Sequence, residues 1–253
     1  MMAGQLALAG GVLGLLVGSY VATLTLRWPQ GRSAATGRSA CDSCARRLAW
    51  FELVPLLSWA TLRGRCRRCG VAIDRRHPII EAAAALIGAA SLWVHPDASG
   101  LLGAAFGWAL LTLAILDTEH FWLPDSITLP LAGAGLALGI GFDPPLLDRL
   151  IGAAAGYGGL AGIAAIYRAV RGREGLGGGD PKLFGAIGAW LGWTALPFVL
   201  MLGALVGLAS VVVARARGRE VTAATHLPFG APLAVAGWAI WLAEPVARLV
   251  ILR

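Results

Sequence analysis

Three acids in this sequence stand where an acid needs a reason. Asp117 follows an apolar stretch ending at Leu116, Asp125 follows Leu123-Pro124, and Asp180 sits between Gly177-Gly178-Gly179 and Pro181-Lys182. A carboxylate at the C-terminal end of an apolar helix is opposed by the helix dipole and is costly near hydrocarbon, so Asp117 calls for a function. Asp180 reads equally well as a helix N-cap followed by proline, with the glycines as a plain loop, and Asp125 reads first as the cap of the next helix. If Asp117 and Asp180 meet in a poorly hydrated site, they cannot both ionise cheaply and titrate as a pair sharing one proton. The ionised member then takes a proton from water while the protonated member polarises a carbonyl, which is peptide hydrolysis without a covalent intermediate. Intramembrane acids also build ion sites and proton relays, so a proton or cation transporter is the competing reading. Gly177 and Gly179 supply close, flexible backbone beside Asp180, able to admit an extended substrate strand. Lys182 either anchors at lipid headgroups or pairs with an acid at the site.

The four cysteines make a separate case. They fall in one loop as Cys41-x-x-Cys44 and Cys66-x-x-Cys69, with 21 residues between the pairs. Four thiolates at this spacing close a tetrahedral structural zinc site and leave no open position for catalysis. Two disulfides are the alternative, disfavoured because the charge pattern assigns the loop to a reducing compartment. Without metal, a loop of about 50 residues with so few apolar side chains has too small a core to fold. His77, His120, Glu81 and Glu119 raise metalloprotease chemistry, but the sequence has no His-Glu-x-x-His helix. The histidines read as interfacial polar groups, and Glu81 as a first-turn acid of its helix.

These groups must be held by elements made for a bilayer. Of 253 residues 57% are hydrophobic, 14% are charged and 35 are glycine, far from a soluble domain. Apolar runs close to the roughly 20 residues that cross a bilayer recur along the chain. They predict eight transmembrane helices: Gln5–Leu26, Ile79–Val94, Leu101–Leu116, Pro124–Gly141, Leu146–Tyr167, Leu183–Trp193, Leu196–Ala214 and Phe229–Val250. No period-2 alternation suggests a barrel. Residues 1–20 could form a cleaved signal peptide, but they lack a basic leading segment and stay apolar to Leu26. Tryptophans near several span ends read as interfacial anchors.

The net charge of +7 reflects topology rather than nucleic-acid binding. Eleven basic residues lie between Arg27 and Arg76. Arg168, Arg171, Arg173 and Lys182 form a second group, and Arg215, Arg217 and Arg219 a third. With eight spans these segments share one side, leaving Arg149, Arg248 and Arg253 opposite. The positive-inside rule then makes the basic loops cytoplasmic and the N-terminus external. Counting along the chain, Asp117 and Asp180 reach the same cytoplasmic face. The chain divides into a first transmembrane helix (1–26), a four-cysteine cytoplasmic domain (27–76) and a polytopic membrane domain (77–253).

The local wording favours hydrolysis over transport. Gly177-Gly178-Gly179-Asp180 with Lys182 resembles the Gly-x-Gly-Asp motif of intramembrane aspartyl proteases. Leu116-Asp117-Thr118-Glu119 through Leu123-Pro124-Asp125 resembles the first-aspartate motif of type IV prepilin peptidases. Gly18-Ser19-Tyr20 through Arg27-Trp28-Pro29, Leu53-Val54-Pro55-Leu56-Leu57-Ser58-Trp59 and Pro228-Phe229-Gly230-Ala231-Pro232 resemble further segments of that family, in its order. The resemblance implies a bacterial inner-membrane aspartyl endopeptidase with Asp117 and Asp180 as catalytic pair. It would remove the short basic leader of a prepilin or pseudopilin on the cytoplasmic side. It also implies, for many members, N-methylation of the new terminus from S-adenosylmethionine. Here the chain departs, because Ala22 stands where the family pattern usually has asparagine. No glycine-rich strand-to-helix turn in the cysteine loop announces a cofactor site.

Overall fold

The computed structural model describes residues 2–35, 38–41, 43–218 and 227–251, with side chains up to Glu244. Arg219, Arg253 and the side chain of Arg248 lie outside the described residues, as does Met1. Nine α-helices are described: α1 (Met2–Arg27), α2 (Leu57–Thr61), α3 (Arg76–Val94), α4 (Ala98–His120), α5 (Asp125–Leu138), α6 (Leu146–Arg171), α7 (Asp180–Leu191), α8 (Leu196–Ala216) and α9 (Gly230–Ile251). Every predicted span coincides with one of them, and among the described residues there is no strand. The fold is an all-α polytopic membrane protein with a small cysteine loop.

Among the described residues, five helices, α1, α3, α4, α6 and α8, are long and apolar enough to cross a bilayer. The fourth predicted span proves shorter than drawn, and the sixth, drawn short, begins three residues earlier and ends two earlier. α5 has 14 residues and α7 has 12, so at 1.5 Å per residue α7 extends only about 18 Å. Ten of the twelve α7 residues are buried. A helix enclosed by protein need not match the hydrocarbon thickness, because its ends are solvated by neighbouring polar groups rather than lipid.

The chain forms two compact units, Met1–Trp108 and Ala109–Arg253. In the first, α1 and α3 pack along a ladder of small residues. A methyl group on Gly10 would strike the Gly88 carbonyl, one on Gly14 the Ala84 carbonyl, and one on Gly18 the Glu81 backbone. Between helices in lipid, close backbone approach of this kind replaces the hydrophobic drive available in water. Trp108 Nε1 donates to the Ala84 carbonyl (2.8 Å). Arg76 Nη2 donates to the buried Thr25 Oγ1 (3.0 Å), joining the cytoplasmic ends predicted for α1 and α3.

In the second unit α6 and α7 meet through Gly152, Gly156, Gly185 and Gly188. Gly135 of α5 lies against Trp190 of α7, whose Nε1 donates to the Leu131 carbonyl (2.7 Å). Gly237 of α9 faces Ile187 of α7. Arg149, counted from sequence as an external charge at the start of the fifth span, is buried in the first turn of α6. Its guanidinium donates to the carbonyls of Gly135, Phe142, Asp143, Pro144 and Ala189. The carbonyls that end a helix have no intrahelical partner, and one arginine supplies several donors in a fixed fork. Arg149 therefore closes the ends of the two short helices α5 and α7.

Candidate active site and metal centre

Asp117 lies in the last turn of α4 and Asp180 is the first residue of α7. Both side chains are buried, the residues retaining 5% and 4% of their exposure. A carboxylate at the end of α4 gains nothing from its own helix, and the structure compensates with another one. Asp117 Oδ2 accepts the Ala231 N–H (2.8 Å) at the start of α9, where free N–H groups and the helix dipole favour negative charge.

Asp180 does not cap α7. The cap position is Gly179, without a side-chain cap bond, and Asp180 Oδ2 turns back to accept the Gly177 N–H (3.0 Å). Gly177 and Gly179 are thereby given distinct tasks. Gly177 presents its backbone to the carboxylate, whereas a Cβ on Gly179 would fall 2.7 Å from Leu123 Cβ. Gly230 is confined in the same way, its notional Cβ lying 2.8 Å from Leu123 Cδ1 and 3.0 Å from Asp117 Cγ. Leu123 thus packs against the glycine preceding each of the two contacts that hold the acids.

The cap expected of Asp125 is also absent. Pro124 occupies the cap position, and both Asp125 carboxylate oxygens accept from Lys182 Nζ at 2.7 and 2.9 Å. The pair is exposed and links the first turns of α5 and α7. His120 lies 3.8 Å from Glu119. Gly230, Ala231 and Leu123 carry no ionisable group, so nothing in their own chemistry marks these roles in the sequence. The signal was present as Pro228-Phe229-Gly230-Ala231-Pro232, a proline-flanked glycine opening an apolar helix.

The cysteine loop builds two matching knuckles. Cys41 N–H donates to the Arg46 carbonyl and Ala45 N–H to the Cys41 carbonyl. Cys66 N–H donates to Val71 and Gly70 N–H to Cys66 in the same pattern. An isolated antiparallel bridge closes each knuckle, Ala40 with Arg47 and Arg65 with Ala72. The residue after each second cysteine takes positive φ, 52° at Ala45 and 70° at Gly70; only glycine does so without strain. All four Sγ atoms lie within 4.8 Å of one another, and Cys41 and Cys69 are 3.8 Å apart. Metal–sulfur bonds of about 2.3 Å in a tetrahedron place sulfurs about 3.8 Å apart. The cysteines are free thiols, so the cluster can hold a metal ion. The Cys69 and Arg68 backbone N–H groups draw the Cys66 thiol down to about 6, toward the thiolate a metal requires.

Glu81 differs from its expected role. α3 begins at Arg76, so Glu81 lies beyond its first turn, buried, with Oε2 accepting the Leu56 N–H (2.8 Å).

Comparison with known proteins agrees with this architecture. A profile of the bacterial peptidase A24 N-terminal domain matches residues 12–95, and one of the type IV leader peptidase family matches residues 104–212. The prepilin leader peptidase/N-methyltransferase of Burkholderia pseudomallei is 41% identical, across 89% of this chain and 82% of that protein. Proteins of the same name from Stutzerimonas stutzeri and Pseudomonas aeruginosa are each 36% identical, across 90% of this chain and 87% of theirs. No solved structure matches.

Proposed function

Because the chain belongs to the type IV leader peptidase family, we propose that it is a membrane aspartyl endopeptidase that removes prepilin leaders, with Asp117 and Asp180 as its catalytic pair. The observation carrying this assignment is that two buried carboxylates are each held by a backbone N–H, with the adjoining Gly179 and Gly230 both packed against Leu123. The pair shares one proton. The ionised carboxylate takes a proton from water as the water oxygen attacks the scissile carbonyl carbon, and the protonated one donates to the carbonyl oxygen. Collapse of the tetrahedral adduct breaks the C–N bond, with the amine leaving group taking up a proton from the pair. Gly177 and Gly178 are exposed and leave backbone beside Asp180 open to an extended substrate, Gly179 lets that turn pack against Leu123, and the Lys182–Asp125 pair fixes the two helix starts that flank it.

The substrate class is a prepilin or pseudopilin, cleaved at the cytoplasmic face of the inner membrane, the side to which the basic loops are assigned. Cys41, Cys44, Cys66 and Cys69 hold zinc, which supplies folding energy to the loop and takes no part in hydrolysis. Residues 27–76 act as the cysteine domain and 77–253 as the peptidase domain. N-methylation of the new terminus, using S-adenosylmethionine, is the second activity carried in the relatives' names. At the position where the family pattern has asparagine, Ala22 is fully buried in α1.

The test is the purified protein in lipid nanodiscs with a full-length prepilin, its products weighed by mass spectrometry with and without S-adenosylmethionine. A leaderless pilin in both samples, 14 Da heavier only with the cofactor, is the expected result. An uncleaved prepilin in both rejects the peptidase. Cleavage without added mass rejects the methyl transfer alone.

A further inference from the structure

The cysteine loop carries an apolar surface that its own fold leaves uncovered. Trp50 and Leu53 occupy the two ends of a 3-10 turn, and Leu57 opens α2. Trp50 is 79% exposed, Leu57 65%, Phe51 44% and Leu53 43%. Trp50 and Phe51 stack edge to face with centroids 5.8 Å apart, so the two rings form one aromatic ridge. A loop this small cannot leave four large apolar side chains in water without cost, since burial of each stabilises by roughly 1.5–3 kcal/mol.

Charge and position bear on what would cover them. Arg67 sets its guanidinium over the Phe51 ring (5.7 Å), and Arg47, Arg63, Arg65 and Arg68 are also exposed. The acid within the ridge, Glu52, is buried and neutralised by Arg46. Among the described residues of the loop the exposed charge is thus mainly arginine, with Arg67 set against the ridge itself. Its height is set by Glu81, which lies five residues into α3 and so about 7.5 Å along that helix. The Glu81 carboxylate holds the Leu56 N–H, pinning the segment between Leu53 and Leu57 to α3 near Ile79, where its predicted span begins. Leu56 adopts φ 58° and ψ −49°, a conformation costly for a branched side chain and retained only where surroundings fix it. The segment is also tethered on both sides, by α1 and α3, to the membrane surface.

We propose that Trp50, Phe51, Leu53 and Leu57 insert into the bilayer interface and that the surrounding arginines bind anionic lipid headgroups, docking the cysteine loop flat on the membrane. Tryptophan at headgroup depth and arginine stems reaching outward from apolar contact are the pattern such a surface requires. This surface is independent of the peptidase chemistry and stands or falls without it.

The test places a photo-crosslinking benzophenone amino acid at Trp50 and, separately, at Leu57 in the full chain. Each protein goes into nanodiscs of phosphatidylcholine alone or with phosphatidylglycerol, with metal content measured as a fold control. Lipid adducts at both positions, at least about threefold more abundant with the anionic lipid, are expected. Arg63→Gln with Arg67→Gln should remove that increase and leave metal content unchanged. If a variant loses its metal, hydrogen exchange of residues 46–62 in the unmodified protein decides, with slower exchange expected in the anionic nanodiscs. Equal exchange in both lipids, absence of lipid adducts, or adducts to prepilin or a second copy in place of lipid, would overturn the proposal.

Discussion

At the residue scale, the acids were legible in the sequence and their surroundings were not. Asp117 stood out because hydrocarbon makes a carboxylate expensive, and Asp180 because of its glycines. Sequence could not show that α9 would deliver the Ala231 N–H to Asp117, because the partners are 114 positions apart. It also favoured capping for Asp125, which binds Lys182 instead. Two predictions belong here. Gly230→Ala places a methyl group against Asp117 Cγ and Leu123, and cleavage should fall at least tenfold, to about 1.4 kcal/mol of lost transition-state stabilisation. Unchanged kcat in a reconstituted cleavage assay would show that Gly230 does not confine the acid. The Lys182–Asp125 pair is exposed, so breaking it with Lys182→Met should cost no more than about 1 kcal/mol of stability, read by thermal unfolding. A larger loss would mean that the pair is shielded from solvent.

At the element scale, all eight spans were readable from apolar runs, but not the ends of α5 and α7. Those ends depend on Gly192, at φ 76°, and on Arg149 binding carbonyls from two helices and the loop between Phe142 and Pro144. Positive-inside counting treated Arg149 as an external charge at the end of its span because sequence gives no sign that its guanidinium turns inward. Arg149→Met leaves those carbonyls buried without donors, and unfolding in detergent should show a loss of about 3 kcal/mol or more. Stability equal to the parent would contradict the capping role. In the cysteine loop, the Arg46 side chain, helped by the Ala49 N–H, holds Glu52 below the usual carboxylate range. A depressed value in the folded state gives stability that is present above the unfolded value, about 4.3, and lost as pH falls through the folded one. Wild-type protection of residues 46–53 from hydrogen exchange should therefore exceed that of Glu52→Gln at pH 6, and the difference should shrink below about pH 4. A difference that grows on acidification would reverse the assignment.

At the scale of the whole molecule, the sequence pattern defines a polytopic helical protein with a metal-binding loop, and the structure agrees with both. The knuckles follow directly from the Cys-x-x-Cys spacing, so Cys66→Ser should lose the metal, measured by elemental analysis, and unfold the loop. Retention of metal by that variant would refute four-thiolate binding. The central claim is that Asp117 and Asp180 act together on a peptide bond, and paired acids that share a task lose it together. The most direct measurement is single-turnover cleavage of a prepilin by Asp117→Asn and by Asp180→Asn in nanodiscs, each with normal metal content and unfolding temperature. Both variants should fall at least about a hundredfold below the parent. Parent-like cleavage by either folded variant would contradict the pair.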